Sequence, residues 1–260
     1  LCVLYGVDRQ SGARFRHDSL SRVSRVRVAE TSWQDETWFR KPGMEVAWEH
    51  RLADGFHRLR VDVRARRGRP PVHGELRFTE DLRRFQPLVT CVPVGERQFV
   101  FGHKAQMPVG GALRIGDETL EYDPGRDVAN LDDFKSYGPL QNRYRWVNLG
   151  GVDAAGRVVG LNAMDNVHRQ GDYWHESCVW VDGELTLLDG VRIEADSRDL
   201  MRPWRITERG GRVDLTLRPE GGMAVLFRPM VSYHQKCGPF SGTLIDGNGV
   251  QPTTATDIPP

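Results

Sequence analysis

CVWVDGELTLLDGVRIEA, from Cys178 to Ala195, alternates apolar and polar side chains and breaks twice at Asp-Gly, at Asp182-Gly183 and Asp189-Gly190. Alternation with a period of two puts every second residue on one face of a β-strand. Asp-Gly suits a type I′ turn, which needs positive φ at both central residues and returns the chain antiparallel. The segment therefore reads as short strands joined by tight turns, and the plan recurs along the chain. MEVAWEHRLADGFHRLRVDVRA (Met44 to Ala65) alternates on either side of Ala53-Asp54-Gly55. WRITERGGRVDLTLRP turns at Gly210-Gly211, GALRIGDETLEY at Gly116-Asp117, and RYRWVNLGGVDAAGRVVGLNA through a longer Gly-containing loop.

A helical signal is confined to EDLRRF, Glu80 to Phe85, where it predicts a single turn. The 28 Gly and 15 Pro act mainly as punctuation, so the chain reads as a long antiparallel meander. Strands at a spacing of about 8–12 residues number roughly 16 or more, too many for one small barrel. A meander removes or shields its open edges by closing into a barrel or packing as a sandwich. The expected fold is all-β, with two barrel-like domains in tandem over residues 1–90 and 91–260. The boundary falls within RFQPLVTCVPVGERQF (Arg84 to Phe99), and no internal repeat or low-complexity segment is apparent.

Composition narrows the function classes. The chain has 260 residues, enough to bury a substantial core. Lys and Arg number 36 against 35 Asp and Glu, a balance that gives no reason to expect nucleic acid or an anionic membrane as partner. No apolar run approaches the roughly 20 residues a membrane span needs, so a soluble protein is expected. The four cysteines, Cys2, Cys91, Cys178 and Cys237, form no C-x-x-C pair and sit in strand-like contexts. They read as buried thiols, which favours a reducing, cytoplasmic compartment. The sequence opens at Leu1 with a strand already under way, so residues are expected ahead of it.

The common catalytic motifs are missing. There is no G-x-S-x-G, no H-E-x-x-H, no phosphate loop and no dinucleotide fingerprint, and no cofactor is expected. His168 and His175-Glu176 lie close in sequence but lack a third ligand at matching spacing, so no metal is expected and polar strand or loop positions suffice. The arginines of RLRVDVRARRGRP (Arg58 to Pro70) alternate with Val and Ala, which puts them on a solvated strand face and a hairpin tip. His103 and Lys104 stand where the apolar strand of FVFGHKAQMPVGG runs out, either as rim ion pairs or as polar groups at a pocket mouth. Most of the seven tryptophans suit a core; Trp146 and Trp180 are also candidates for lining a ligand cavity.

Four segments carry a resemblance: LDDFKSYGPLQNRYRWVNLGG with GRVVGLNAMDN, then ESCVWVDGELTLLDGVRIEA, PWRITERGGRVDLTLRPEGG and HQKCGPFSGTL. In this order and spacing the chain resembles domain-of-unknown-function family 2804 from about Cys91 to Asn248, and more loosely before that. The family is distantly similar to the calycin group of tandem lipocalin-like barrels, which includes carotenoid 1,2-hydratases, pericyclases and lipid-binding stress proteins. The resemblance implies two lipocalin-like barrels and an apolar ligand, but no particular reaction. The family's D-x-x-K/R element and following aromatic strand fall on Asp132, Lys135 and Trp146, with Asn148 in place of a second aromatic. The family's acidic-to-Trp ending is absent after TDIPP, so residues are expected beyond that end as well.

From Arg143 to Gly150, alternation puts Tyr144, Trp146 and Asn148 on one face. Apolar surface with hydrogen-bonding tips suits a ligand cavity, to which Asn162 is added from the next strand. Asp132, if kept protonated by burial, could donate a proton to an alkene, with Lys135 beside it; a structural Asp132–Lys135 pair is the simpler alternative. The expected function is binding of an isoprenoid- or polyketide-like molecule with acid-assisted hydration, isomerisation or cyclisation. A non-catalytic lipid carrier is the alternative, and a glycan-binding β-domain with outward tryptophans stands third.

Overall fold

The computed structural model describes residues 2–7, 14–19, 23–137, 143–153, 155–166, 176–227 and 231–245. Among them are 21 strands, one 3-10 turn at Leu52–Asp54 and no α-helix, so the protein is all-β. Leu82 to Arg84, inside the predicted helical turn, form a simple turn. The chain makes two compact units, each from two stretches: Leu1–Arg83 with Met107–Ala129, and Arg84–Gln106 with Asn130–Pro260.

The first unit begins with β1 (Cys2–Val7), β2 (Arg14–Ser19), β3 (Arg25–Arg27) and β4 (Asp35–Lys41). It continues with β5 (Met44–Arg51), β6 (Phe56–Val63) and β7 (Val72–Thr79). After β8 (Leu88–Gly95), the long β9 (Gln98–Ile115) re-enters this unit at Met107, and β10 (Glu118–Tyr122) follows. The strands lie in the order β10-β9-β7-β6-β5-β4-β3, a curled antiparallel sheet like half a barrel.

Alternation explains its two faces. Met44, Val61, Val63, Val72, Leu76 and Phe78 are buried on the inner face. Arg58, Arg60 and Glu75 stand on the outer face, where Arg58 meets Glu49 and Glu75 and Arg60 meets Glu36. These arginines are thus a solvated, ion-paired surface of the kind the sequence implied. Curling brings β7 and β9 close: a Cβ on Gly74 would lie 2.2 Å from the Ala112 carbonyl oxygen, and one on Gly111 would lie 2.3 Å from that of Glu75. Only glycine fits there.

The second unit takes β8, the first half of β9 and most of β11 (Val128–Tyr137), both partners of β9. A four-stranded sheet follows, of β12 (Tyr144–Val152), β13 (Val158–Asn166), β14 (Cys178–Val181) and β15 (Glu184–Leu187) in sequence order. A second sheet joins β16 (Arg192–Glu194), β17 (Trp204–Thr207) and β18 (Val213–Leu217) to β21 (Phe240–Leu244), leaving β19 (Gly221–Phe227) and β20 (Val231–Cys237) as a hairpin.

The two Asp-Gly steps part company. Asp182 and Gly183 have φ of 50° and 87°, as a type I′ turn between β14 and β15 requires. Asp189-Gly190 makes no hairpin; only Gly190 has positive φ, and the step carries the chain from one four-stranded sheet to the other. It therefore forms a corner between sheets. Val147, Leu149, Leu161, Val179, Ile193, Ile206 and Leu215 fill the core between those sheets. The opposite face of β14 is also covered, since Cys178 and Trp180 pack against Leu88.

Candidate functional site

β13 is buried on both faces, and its even and odd residues serve different ends. Leu161 and Ala163 enter the apolar core, while Gly160, Asn162 and Met164 face the other way. The space over Gly160 is taken by Gln106, which donates from Nε2 to the Val159 carbonyl oxygen at 2.6 Å. A Cβ on Gly160 would overlap that side chain at 2.2 Å. On β9, Lys104 shares the face of Gln106, while His103 alternates to the other.

Lys104 is the centre of a buried polar cluster. Its side chain is only 4% exposed, and Nζ donates to Asp132 Oδ1 at 2.5 Å and lies 3.3 Å from Glu176 Oε2. Glu176 is 8% exposed and Asp132 27%. An ammonium removed from water needs opposite charge and hydrogen-bond acceptors around it, and the two carboxylates supply both. Thr90 Oγ1 donates to Glu176 Oε1 at 3.4 Å, and the Asn162 amide donates to the Glu176 backbone carbonyl. Trp146 Nε1 in turn donates to Asn162 Oδ1 at 2.7 Å, with Lys104 Nζ 5.6 Å from the Trp146 ring centre. A continuous network thus runs from Thr90 through Glu176 and Asn162 to Trp146.

Beside this network lies a cavity of about 820 Å³. β12 is a terminal strand of its sheet, and the cavity follows it from Arg143 to Gly150, touching residues of both faces. β20 supplies another wall, from Ser232 to Cys237. Trp146, Leu200, Trp204, Leu217 and Phe240 give apolar lining, and Asp132, Tyr144 and Tyr233 give polar lining. Burial pushes the Tyr144 phenol above the usual tyrosine range, and the Asp132 charge adds to it. Burial does the same to Tyr233, helped by Tyr144 and Asp132. Both phenols therefore keep their protons more firmly than a free tyrosine and can offer a hydrogen bond into the cavity.

The residues singled out from sequence fall into three groups. Lys104, Asp132, Trp146 and Asn162 lie in one connected cluster, and Tyr144 and Asn148 line the cavity with Asp132 and Trp146. Lys135 is three residues from Asp132 on β11, so strand alternation turns it to the opposite face, as it does His103. Trp180 is packed away in the core, its Nε1 donating to the Gln86 carbonyl at 2.8 Å. Burial raises the Cys178 thiol well above its ordinary range, so it is an unreactive packing group. Cys91, in contrast, is exposed. His168, Trp174 and His175 lie outside the described residues.

Glu176 and Tyr233 were not anticipated as site residues. Glu176 meets Thr90 across 86 positions, a pairing that no local pattern encodes. Tyr233 sits in VSYHQKC, whose alternation marks a strand but not its neighbours.

No curated protein and no solved structure matches the chain. A model of a family described as a domain of unknown function, DUF2804, matches residues 1–255. The chain belongs to the DUF2804 family.

Proposed function

We propose that the second unit binds an apolar small molecule of isoprenoid or polyketide type and promotes its acid-assisted hydration, isomerisation or cyclisation. The cavity between β12 and β20 carries this reading, because it combines tryptophan and aliphatic walls with a carboxylate and two protonated phenols. In this scheme Asp132, when protonated, gives its proton to the alkene and takes one back as water adds or the product loses one, while Tyr144 and Tyr233 keep their protons and offer hydrogen bonds. Asp132 Oδ1 also accepts a hydrogen bond from Lys104 Nζ at 2.5 Å. The associated fold reading is a pair of lipocalin-like barrels, supported by the curled sheet of the first unit and the two covered sheets of the second. A cytoplasmic setting accords with four cysteines in the thiol form.

A carrier that binds such a ligand without changing it is the second reading. It is favoured by the same Lys104–Asp132 contact, which makes the cluster a structural ion pair that braces the cavity wall. Binding is tested by titrating polyenes against tryptophan fluorescence. Saturable quenching is expected, and Trp146→Ala should weaken affinity by about 1–3 kcal/mol, the worth of a buried aromatic contact. A folded Trp146→Ala protein with unchanged affinity would remove Trp146 from the ligand's surroundings.

A further inference from the structure

Among the described residues, the charges lining the cavity do not balance: Arg143, Arg145 and Lys236 stand against a single carboxylate, Asp132. Asp132 is engaged by Lys104 at 2.5 Å. Arg145 donates to the backbone carbonyl oxygens of Ile193 and Ala195 at 2.9 and 3.5 Å, which are neutral acceptors. Among the described residues, neither Arg143 nor Lys236 pairs with a carboxylate. The described lining therefore carries a positive surplus beside apolar wall residues that include Trp204, Leu217 and Phe240.

Cations lining a concavity concentrate anions and hold them by charge-assisted hydrogen bonds. Apolar walls select a ligand body that is better out of water. We infer that the cavity takes a single-chain amphipathic anion, with its alkyl or isoprenoid body along the apolar walls and its carboxylate or phosphate head at Arg143, Arg145 and Lys236. This rests on the proposal that the cavity binds a small molecule, and adds the charge of that molecule. A neutral polyene would leave the cationic groups without a counterpart.

Isothermal titration of the whole chain with laurate, dodecyl phosphate, dodecanol and dodecyltrimethylammonium separates head from body, because the four share one alkyl chain. At least one anion should bind about tenfold or more tighter than dodecanol, and the cation weakest. Raising the salt concentration should weaken the anion and leave dodecanol nearly unchanged. In R143Q/K236Q the anion's advantage should fall to about twofold or less, with circular dichroism reporting that the variant is folded. Should that variant fail to fold, the salt dependence of the unaltered protein decides. Dodecanol or the cation binding as tightly as the tighter of the two anions would overturn the charge assignment and leave an apolar cavity standing. No binding of any of the four would overturn the small-molecule reading itself.

Discussion

At the scale of single residues, the chemistry turns on what Lys104 does to Asp132. The ammonium is nearly inaccessible to water and is held between Asp132 and Glu176. Removing one member of a buried ionic cluster leaves the others without compensation, and that usually costs more than the cluster contributes. Lys104→Met should therefore lower stability by about 3–5 kcal/mol, towards the lower end because Asp132 is partly solvated. Asp132→Asn keeps shape and a hydrogen-bond acceptor for Lys104, so its stability loss should be smaller. If Asp132 handles a proton, that variant should lose about 10²-fold in product formation from the best-quenching polyene, with binding little changed. Denaturation midpoints and product assays on both variants separate the possibilities. Full turnover in a folded Asp132→Asn protein would leave the carrier reading and withdraw the catalytic one.

At the scale of elements, turn chemistry decides which strands become neighbours. Gly183 has φ of 87°, and a Cβ there would lie 2.1 Å from the Arg84 carbonyl oxygen. The Gly183 carbonyl also accepts from the Gln86 N–H at 2.8 Å, tying the β14–β15 turn to the chain before β8. Gly183→Ala should cost about 1–3 kcal/mol from backbone conformation alone, and more from the clash, read as a shift in urea midpoint. Turns of this kind were legible in the sequence because φ preference is local. Asp182-Gly183 and Ala53-Asp54-Gly55 both join paired strands as expected. Asp189-Gly190 was misread because a turn dipeptide does not reveal whether the next strand pairs in the same sheet or crosses to another. The site was legible to a similar depth. Alternation placed Tyr144, Trp146 and Asn148 together, and Asn162 faces Asn148 across the β12–β13 ladder. Alternation also bears on the Lys135 assignment, since a spacing of three on a strand reverses the face. The partner of Asp132 came instead from 28 residues away, through the pairing of β11 with β9. Such a pairing depends on sheet order, which single-strand patterns do not encode.

At the scale of the whole molecule, an all-β chain with interleaved stretches forms two units, and the second concentrates a buried ion cluster, two protonated phenols and a large cavity. The central claim is that this cavity is a ligand site and not merely a gap between the edge of β12 and the β19–β20 hairpin. Two of the protein's own thiols serve as reporters: Cys237 lines the cavity, whereas Cys91 on β8 is exposed and takes no part in the lining. The most direct measurement is the alkylation rate of each thiol by iodoacetamide, followed by mass spectrometry with and without a saturating polyene or laurate. The account predicts that ligand slows labelling of Cys237 by about tenfold or more and leaves Cys91 unchanged, as local exclusion of the reagent requires. Equal rates at Cys237 with and without bound ligand, or equal slowing at both thiols, would contradict it.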